Sequence, residues 1–314
     1  MKAAIVTGQG TAPIFGDVER PEPLSGELRV QVKAAALSRL TRGRAAGSHY
    51  SAQNSFPFVP GVDGVGHLDD GRRVYFAMPR APFGAMAEET VVDSALCVQV
   101  PDDLGDVMAA ALANPGMSSW AALRHRARLQ AGETVLVNGA TGVSGRLAVS
   151  IAKHMGADKI IATGRNPAVL QELERLGADI TIPLPDENAE AQFQQVFEGG
   201  IDVVLDYLWG ESARGILVAG AKFGPDARRI RFVQIGSMSG GDISLPSAVL
   251  RSSAIELMGS GIGSVSVRDL IDSIGEMLAA AKKAGLQVAT RTVPLMDVEG
   301  TWNEDGSDRV VFTI

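Results

Sequence analysis

Apolar and polar positions keep two different rhythms along this chain of 314 residues. Up to about residue 116 the rhythm is short. Leu28-Arg29-Val30-Gln31-Val32-Lys33-Ala34 alternates apolar and polar side chains, the period of a half-buried strand. Arg73-Val74-Tyr75-Phe76-Ala77 and Glu89-Thr90-Val91-Val92 predict further short strands, and Pro/Gly clusters such as Pro57-Phe58-Val59-Pro60-Gly61 separate them. This half reads as a mostly β domain. Farther on, Thr134-Val135-Leu136-Val137-Asn138 predicts a strand, followed by a glycine-rich turn and a helix over residues 144–155. Lys159-Ile160-Ile161-Ala162-Thr163 predicts the next strand, and residues 167–176 the next helix. Val203-Val204-Leu205-Asp206, Phe232-Val233-Gln234-Ile235 and Ile255-Glu256-Leu257-Met258 predict three more strands. Strand and helix alternate at the spacing of βαβ units, which implies a parallel, doubly wound sheet. A last helix is predicted over residues 267–284, and the tail, residues 288–314, returns to short strands expected to rejoin the first domain.

Length and composition agree with two globular domains: 46% of residues are apolar and 21% charged. A net charge of −7 gives no general attraction to nucleic-acid phosphates or anionic membranes. No apolar run approaches the roughly 20 residues that span a bilayer, and the first residues read as a strand rather than a signal peptide, so a cytoplasmic location is expected. The single cysteine, Cys97, excludes an intramolecular disulfide and a multi-thiolate zinc site, and reads as a buried, inert thiol. His49, His67, His125 and His154 show no metal-ligand spacing; His49 alone, beside Tyr50, keeps a functional reading.

The chemistry concentrates in Asn138-Gly139-Ala140-Thr141-Gly142-Val143-Ser144-Gly145, between a predicted strand and a predicted helix. Glycines at 139, 142 and 145 suit a tight turn, close approach of backbone to a pyrophosphate, and close helix–strand packing, and the helix N-terminus adds free N–H groups. The next strand ends in Thr163-Gly164-Arg165-Asn166, where an NAD site carries Asp or Glu; the first carboxylate is Glu172, already on the following helix. Arg165 can meet the 2′-phosphate of NADPH, with hydrogen bonds from Thr163 and Asn166, so NADPH is the expected cofactor.

With these residues in place, the chain resembles the medium-chain dehydrogenase/reductase superfamily over nearly its whole length. Pro60-Gly61-Val62-Asp63-Gly64-Val65-Gly66, Gly84-Ala85-Met86-Ala87-Glu88, Leu176-Gly177-Ala178-Asp179, Asp202-Val203-Val204-Leu205-Asp206 and Pro294-Leu295-Met296-Asp297-Val298 occur in that family's order. The resemblance implies an α/β protein with a GroES-like β domain over residues 1–116, completed by residues 266–314, and a Rossmann domain over residues 117–265. It places the nicotinamide near Gly236 and Ser237, and it implies a homodimer through the edge strand around Leu257. Zinc members carry Cys and His where this chain has Ser38, or a residue near it, and Val62, neither of which ligates zinc, so no metal is expected. What remains resembles the zinc-free quinone oxidoreductases, in which Tyr50, Ser38 and Thr41 fall at the active-site edge. That branch often has Asn and Asp at the latter two positions, and this chain departs at both. Asn114-Pro115-Gly116-Met117-Ser118-Ser119-Trp120 resembles a stretch of the enoyl thioester reductases. The expected activity is hydride transfer from NADPH to a small-molecule acceptor, a quinone or an activated C=C; an enoyl thioester reductase and a non-catalytic NADPH-binding redox sensor are the alternatives.

Overall fold

The computed structural model describes residues 1–48, 55–304, 306 and 308–314. Its strands are β1 (Lys2–Ile5), β2 (Ile14–Asp17), β3 (Glu27–Ala36), β4 (Asp63–Leu68), β5 (Arg73–Ala77), β6 (Glu89–Asp93), β7 (Cys97–Gln99), β8 (Thr134–Asn138), β9 (Lys159–Gly164), β10 (Ile180–Pro183), β11 (Val203–Asp206), β12 (Arg229–Gln234), β13 (Ala254–Gly259), β14 (Thr290–Pro294) and β15 (Arg309–Thr313). The helices that matter below are α1 (Arg39–Ala46), α2 (Asp106–Ala121), α3 (Val143–His154), α4 (Pro167–Arg175), α5 (Ala189–Glu198), α6 (Gly210–Phe223), α7 (Ser247–Arg251) and α8 (Val267–Ala280). The chain divides into two compact units.

The first unit comprises Met1–Asn114, Ile274–Lys282 and Gln287–Ile314. Its main sheet runs β14-β15-β3-β4-β5-β7, with β6 also paired to β3. The pairings are antiparallel except that of β14 with β15. β3 is the hub, and it alternates as its sequence does, with Val30 and Val32 buried between more exposed residues, before Ala34, Ala35 and Ala36 are all buried. A Cβ on Gly66 would come within 2.3 Å of the Gln31 carbonyl oxygen, so glycine is what lets β4 lie against β3. The core gathers Val30, Val32, Phe76, Met86, Trp302 and Phe312, drawn from both ends of the chain. Apolar burial at roughly 25 cal/mol per Å² is the main force that closes this sheet.

The second unit comprises Pro115–Ser273 and Lys283–Leu286. Its six parallel strands are ordered β10-β9-β8-β11-β12-β13. The central strands are continuous apolar runs because both faces of a parallel sheet are covered. Leu136, Ile161, Val204 and Phe232 from the sheet pack with Phe197, Ile216 and Leu217 from the helices. The chain moves outward from β8 through β9 and β10, then returns to the other side of β8 with β11. The reversal opens a crevice beyond the C-terminal ends of β8 and β11.

Candidate functional site

The glycine turn stands at that reversal. Gly139 has φ +88°, and a Cβ there would lie 2.9 Å from the side chain of Leu208. A Cβ on Gly145 would lie 2.3 Å from the Gly139 carbonyl oxygen, so this glycine lets the first turn of α3 press against the loop. Gly142 differs. It is the N-cap of α3 with φ −80°, and an added Cβ would meet only the Gly139 oxygen, at 3.7 Å. The protein itself does not need glycine at 142; a ligand laid against the backbone would. The N–H groups of Val143, Ser144 and Gly145 open α3 without intrahelical acceptors, and no acidic residue occupies that turn. The positive end of the helix is therefore left for an anion. A dinucleotide's pyrophosphate fits this cradle.

Beneath the turn, a buried polar network ties three strands together. Asn138 donates through Nδ2 to Asp206 Oδ1 (2.7 Å) and Ser212 Oγ (2.9 Å), and its Oδ1 accepts from Thr163 Oγ1 at 2.7 Å. The Ala140 N–H donates to the Thr163 carbonyl at 2.8 Å. The Asp206 carboxylate also accepts the N–H groups of Leu208 (3.1 Å) and Trp209 (3.1 Å). Burial raises the Asp206 pKa, and these donors oppose the rise. They hold a strained turn: Trp209 has φ 55° and ψ −153°, a region left almost entirely to glycine, which costs about 1–3 kcal/mol. The loop after β12 is laced to it, with the Ser239 N–H donating to the Leu208 carbonyl at 2.7 Å. Tyr207 OH is hydrogen-bonded to Ser119 Oγ at 2.7 Å, and Ser119 Oγ also lies 3.2 Å from the Ser144 carbonyl oxygen. Burial pushes the Tyr207 phenol well up, so it stays protonated. The sequence held one signal for these residues, the bulky Asp206-Tyr207-Leu208-Trp209 run closing a strand before Gly210.

The residues expected to choose the cofactor take distinct places. Arg165 is exposed beyond β9 and has no hydrogen-bond or ion-pair partner among the described residues. Glu172 is paired with Arg146 at 2.8 Å. Asn166 spends its side-chain oxygen as the N-cap of α4, accepting from Ala168 and Val169, and the Thr163 hydroxyl is committed to Asn138. Gly164 packs against Thr141, whose methyl would lie 2.3 Å from a Cβ there. Gly236 is half-buried against the Tyr207 carbonyl, and Ser237 is exposed.

Ser38 and Thr41 belong to the first unit. Ser38 is the N-cap of α1: its Oγ accepts the Thr41 N–H at 3.0 Å and lies 2.9 Å from Thr41 Oγ1. Both are nearly fully buried, as is Val62. Tyr50 and His49 lie outside the described residues. Asp63 sits next to Val62, also buried, with Oδ2 accepting from Tyr75 OH at 2.9 Å. Its Oδ1, and Nε and Nη2 of Arg309, have no hydrogen-bond partner among the described residues. Burial lifts the Asp63 pKa to about 6, against the pull of the Arg309 charge and the Tyr75 hydroxyl. Cys97 is half-buried, and burial pushes its thiol up to about 11, which leaves it unreactive. Among the described residues, no three His, Cys, Asp or Glu side chains come together in a way that could hold a metal ion.

A glycine cradle at the reversal point of a six-stranded parallel sheet defines a nucleotide-binding fold of the dehydrogenase kind. Comparison with known proteins places it further. A family described as zinc-binding dehydrogenase matches residues 144–283. The chain is 31% identical to the probable NADPH-dependent quinone reductase of Emericella nidulans over 99% of each protein. It is 32% identical to a phenolphthiocerol/phthiocerol polyketide synthase of Mycobacterium tuberculosis, over 76% of this chain but 11% of that protein. The quinone oxidoreductase of Thermus thermophilus has the same fold, with a TM-score of 0.82 at 24% identity over the full length of both chains. The chain belongs to the medium-chain dehydrogenase/reductase superfamily, in its quinone oxidoreductase-like branch, and is an oxidoreductase.

Proposed function

We propose that this enzyme takes hydride from NADPH and delivers it to a quinone or an activated C=C, without zinc. The observation that carries this reading is the unpartnered Arg165 at the end of β9, where no free carboxylate stands. The name of the full-length relative from Emericella nidulans supports it. The segment shared with a polyketide synthase favours one second reading, reduction of an enoyl thioester. NADPH, when bound, supplies the hydride. Gly142 and the first N–H groups of α3 would hold its pyrophosphate, and Arg165 its 2′-phosphate.

Hydride addition leaves negative charge on the acceptor oxygen, which hydrogen-bond donors must stabilise. Ser38 and Thr41 share one hydroxyl proton in their mutual hydrogen bond. If Ser38 donates, the Thr41 O–H is free to donate to that oxygen or to a water beside it. Tyr50 is a further donor by family resemblance. Neither Ser38 nor Val62 ligates zinc, so these hydroxyls take the electrophile's part. No described helix is long and apolar enough to cross a membrane. A cytoplasmic homodimer, joined through β13, completes the reading.

The test is NADPH consumption measured against quinones, enones and enoyl thioesters. Turnover of the first two classes supports the proposal, and turnover of thioesters alone selects the second reading. Tight binding of NADPH with no turnover on any acceptor would make the protein a redox sensor and overturn it.

A further inference from the structure

α1 carries Arg39, Arg42 and Arg44 and no carboxylate. The Arg42 guanidinium donates to the Glu304 carbonyl oxygen at 3.0 Å. Arg44 is half-buried, and it has no hydrogen-bond or ion-pair partner among the described residues. It lines a cavity of about 30 Å³ together with Thr41, Phe58, Val62, Pro79 and Phe83. That exceeds the roughly 10–15 Å³ one water requires, and it suits a group the size of a carboxylate. Among the described residues, no acid lines the cavity. Three backbone acceptors on its wall are already engaged. The carbonyls of Pro60, Gly61 and Val62 accept N–H groups from Met86 (3.0 Å), Ala85 (3.0 Å) and Met78 (2.7 Å). The neighbouring cation, Arg80, stacks on Phe83 at 5.5 Å and is neutralised by Glu27 at 2.8 Å.

A basic residue in the last turn of a helix ordinarily serves the helix dipole from solvent. That role does not require burial. The end of α1 is in any case closed by its own backbone, since the Gly47 and Ser48 N–H groups return to the Arg44 and Gly43 carbonyls. Burying a guanidinium without a counter-charge is unfavourable, and here burial lowers the Arg44 pKa with nothing to offset it. A charge kept half-buried among aromatic and proline side chains, with no paired anion among the described residues, is open to an anion from outside.

We propose that Arg44 binds an anionic head of the acceptor, so that the physiological substrate is an electron-poor C=C or quinone bearing a carboxylate. This rests on the hydride-transfer reading above. The guanidinium offers a carboxylate two parallel N–H donors, while the Thr41 hydroxyl on the same wall stays with the acceptor oxygen. The apolar side chains beside them suit the uncharged remainder of the molecule.

The test compares 4-oxo-4-phenyl-2-butenoate with its methyl ester, which keeps the enone and loses the charge. For each protein the quantity read is the ratio of kcat/KM for acid over ester. A ratio taken within one protein is unaffected by the fraction folded. Arg44→Met is expected to lower it by roughly tenfold to a hundredfold relative to wild type, as for loss of a charge-assisted hydrogen bond, and Arg44→Lys to restore part of it. An equal ratio in wild type and Arg44→Met overturns the inference and leaves hydride transfer standing. If neither compound is reduced by the wild type, the hydride-transfer reading fails for enones. Calorimetric titration with the saturated 4-oxo-4-phenylbutanoate then decides Arg44 alone: binding lost in Arg44→Met supports the assignment, and equal affinity in both proteins sinks it.

Discussion

At the scale of single residues, the choice of cofactor comes down to Arg165. Its guanidinium is exposed and unpaired among the described residues. A charge-assisted contact to a 2′-phosphate is worth about 1.5–3 kcal/mol, toward the lower end where solvent reaches it. Arg165→Ala should raise KM for NADPH about tenfold and leave NADH nearly untouched; steady-state kinetics with both cofactors check this, and equal use of the two by the wild type would remove the argument. Asp63 has a pH signature of its own. Its pKa of about 6 in the fold lies above the ordinary 3.8, so the folded protein holds that proton more tightly than the unfolded chain does. Ionisation as pH rises from about 4 to 6 therefore costs the fold on the order of 3 kcal/mol, a penalty absent below that window and complete above it. Asp63→Asn should be more stable than wild type at pH 7.5, with the gain shrinking toward zero near pH 4. Urea unfolding at a series of pH values measures it, and a difference that does not change with pH would show that Asp63 is not the titrating group.

At the scale of elements, the turn between β8 and α3 makes two kinds of demand on glycine. Gly145→Ala drives a Cβ to 2.3 Å from a backbone oxygen, and it should destabilise the protein by about 1–3 kcal/mol. Gly142→Ala has room inside the protein and costs roughly 0.5–1 kcal/mol, because alanine caps a helix less well than glycine. It should melt near the wild-type temperature yet bind NADPH more weakly. Thermal melts and fluorescence titration of the two variants separate the roles, and unchanged NADPH affinity in Gly142→Ala would argue against pyrophosphate at that glycine. These elements were legible beforehand because their periods are clean. β8 and β11 coincide with their apolar runs, and α4 starts at Pro167 behind an Asn cap. α2 was not legible. Its Ala-rich face is buried nearly all round, so no 3.6-residue stripe emerges, and Pro115 inside it reads as a break. α1 is hidden by its three arginines, and a lone serine such as its N-cap Ser38 gives no capping signal without an apolar period behind it. Of the site, the glycine turn could be read locally. The Asn138–Thr163–Asp206 network could not, because its members are far apart in sequence and only the sheet order brings them together.

At the scale of the whole molecule, β13 ends the parallel sheet with one edge unpaired among the described residues and Leu257 42% exposed on it. Light scattering at micromolar concentration is expected to give twice the chain mass, and a monomer there would count against pairing through this strand. Prolonged dialysis against a chelator should leave NADPH oxidation intact, with elemental analysis finding far less than one zinc per chain.

The pairing of β15 with β3 has a consequence for how the molecule is made. Thr313 and its neighbours pair with Ala34 and its neighbours, so the central sheet of the first unit is incomplete until β15 has been made. By the time β13 has been made, the six-stranded sheet between them already has all of its strands, whereas the end of β3 at residues 34–36 still waits for its partner, β6 covering only residues 27–31 of that edge. Contacts this distant in sequence form slowly, and an open strand edge is where nascent chains stick to one another. Birth order therefore runs inside out: of the two units, the one that is begun first is the last to be finished.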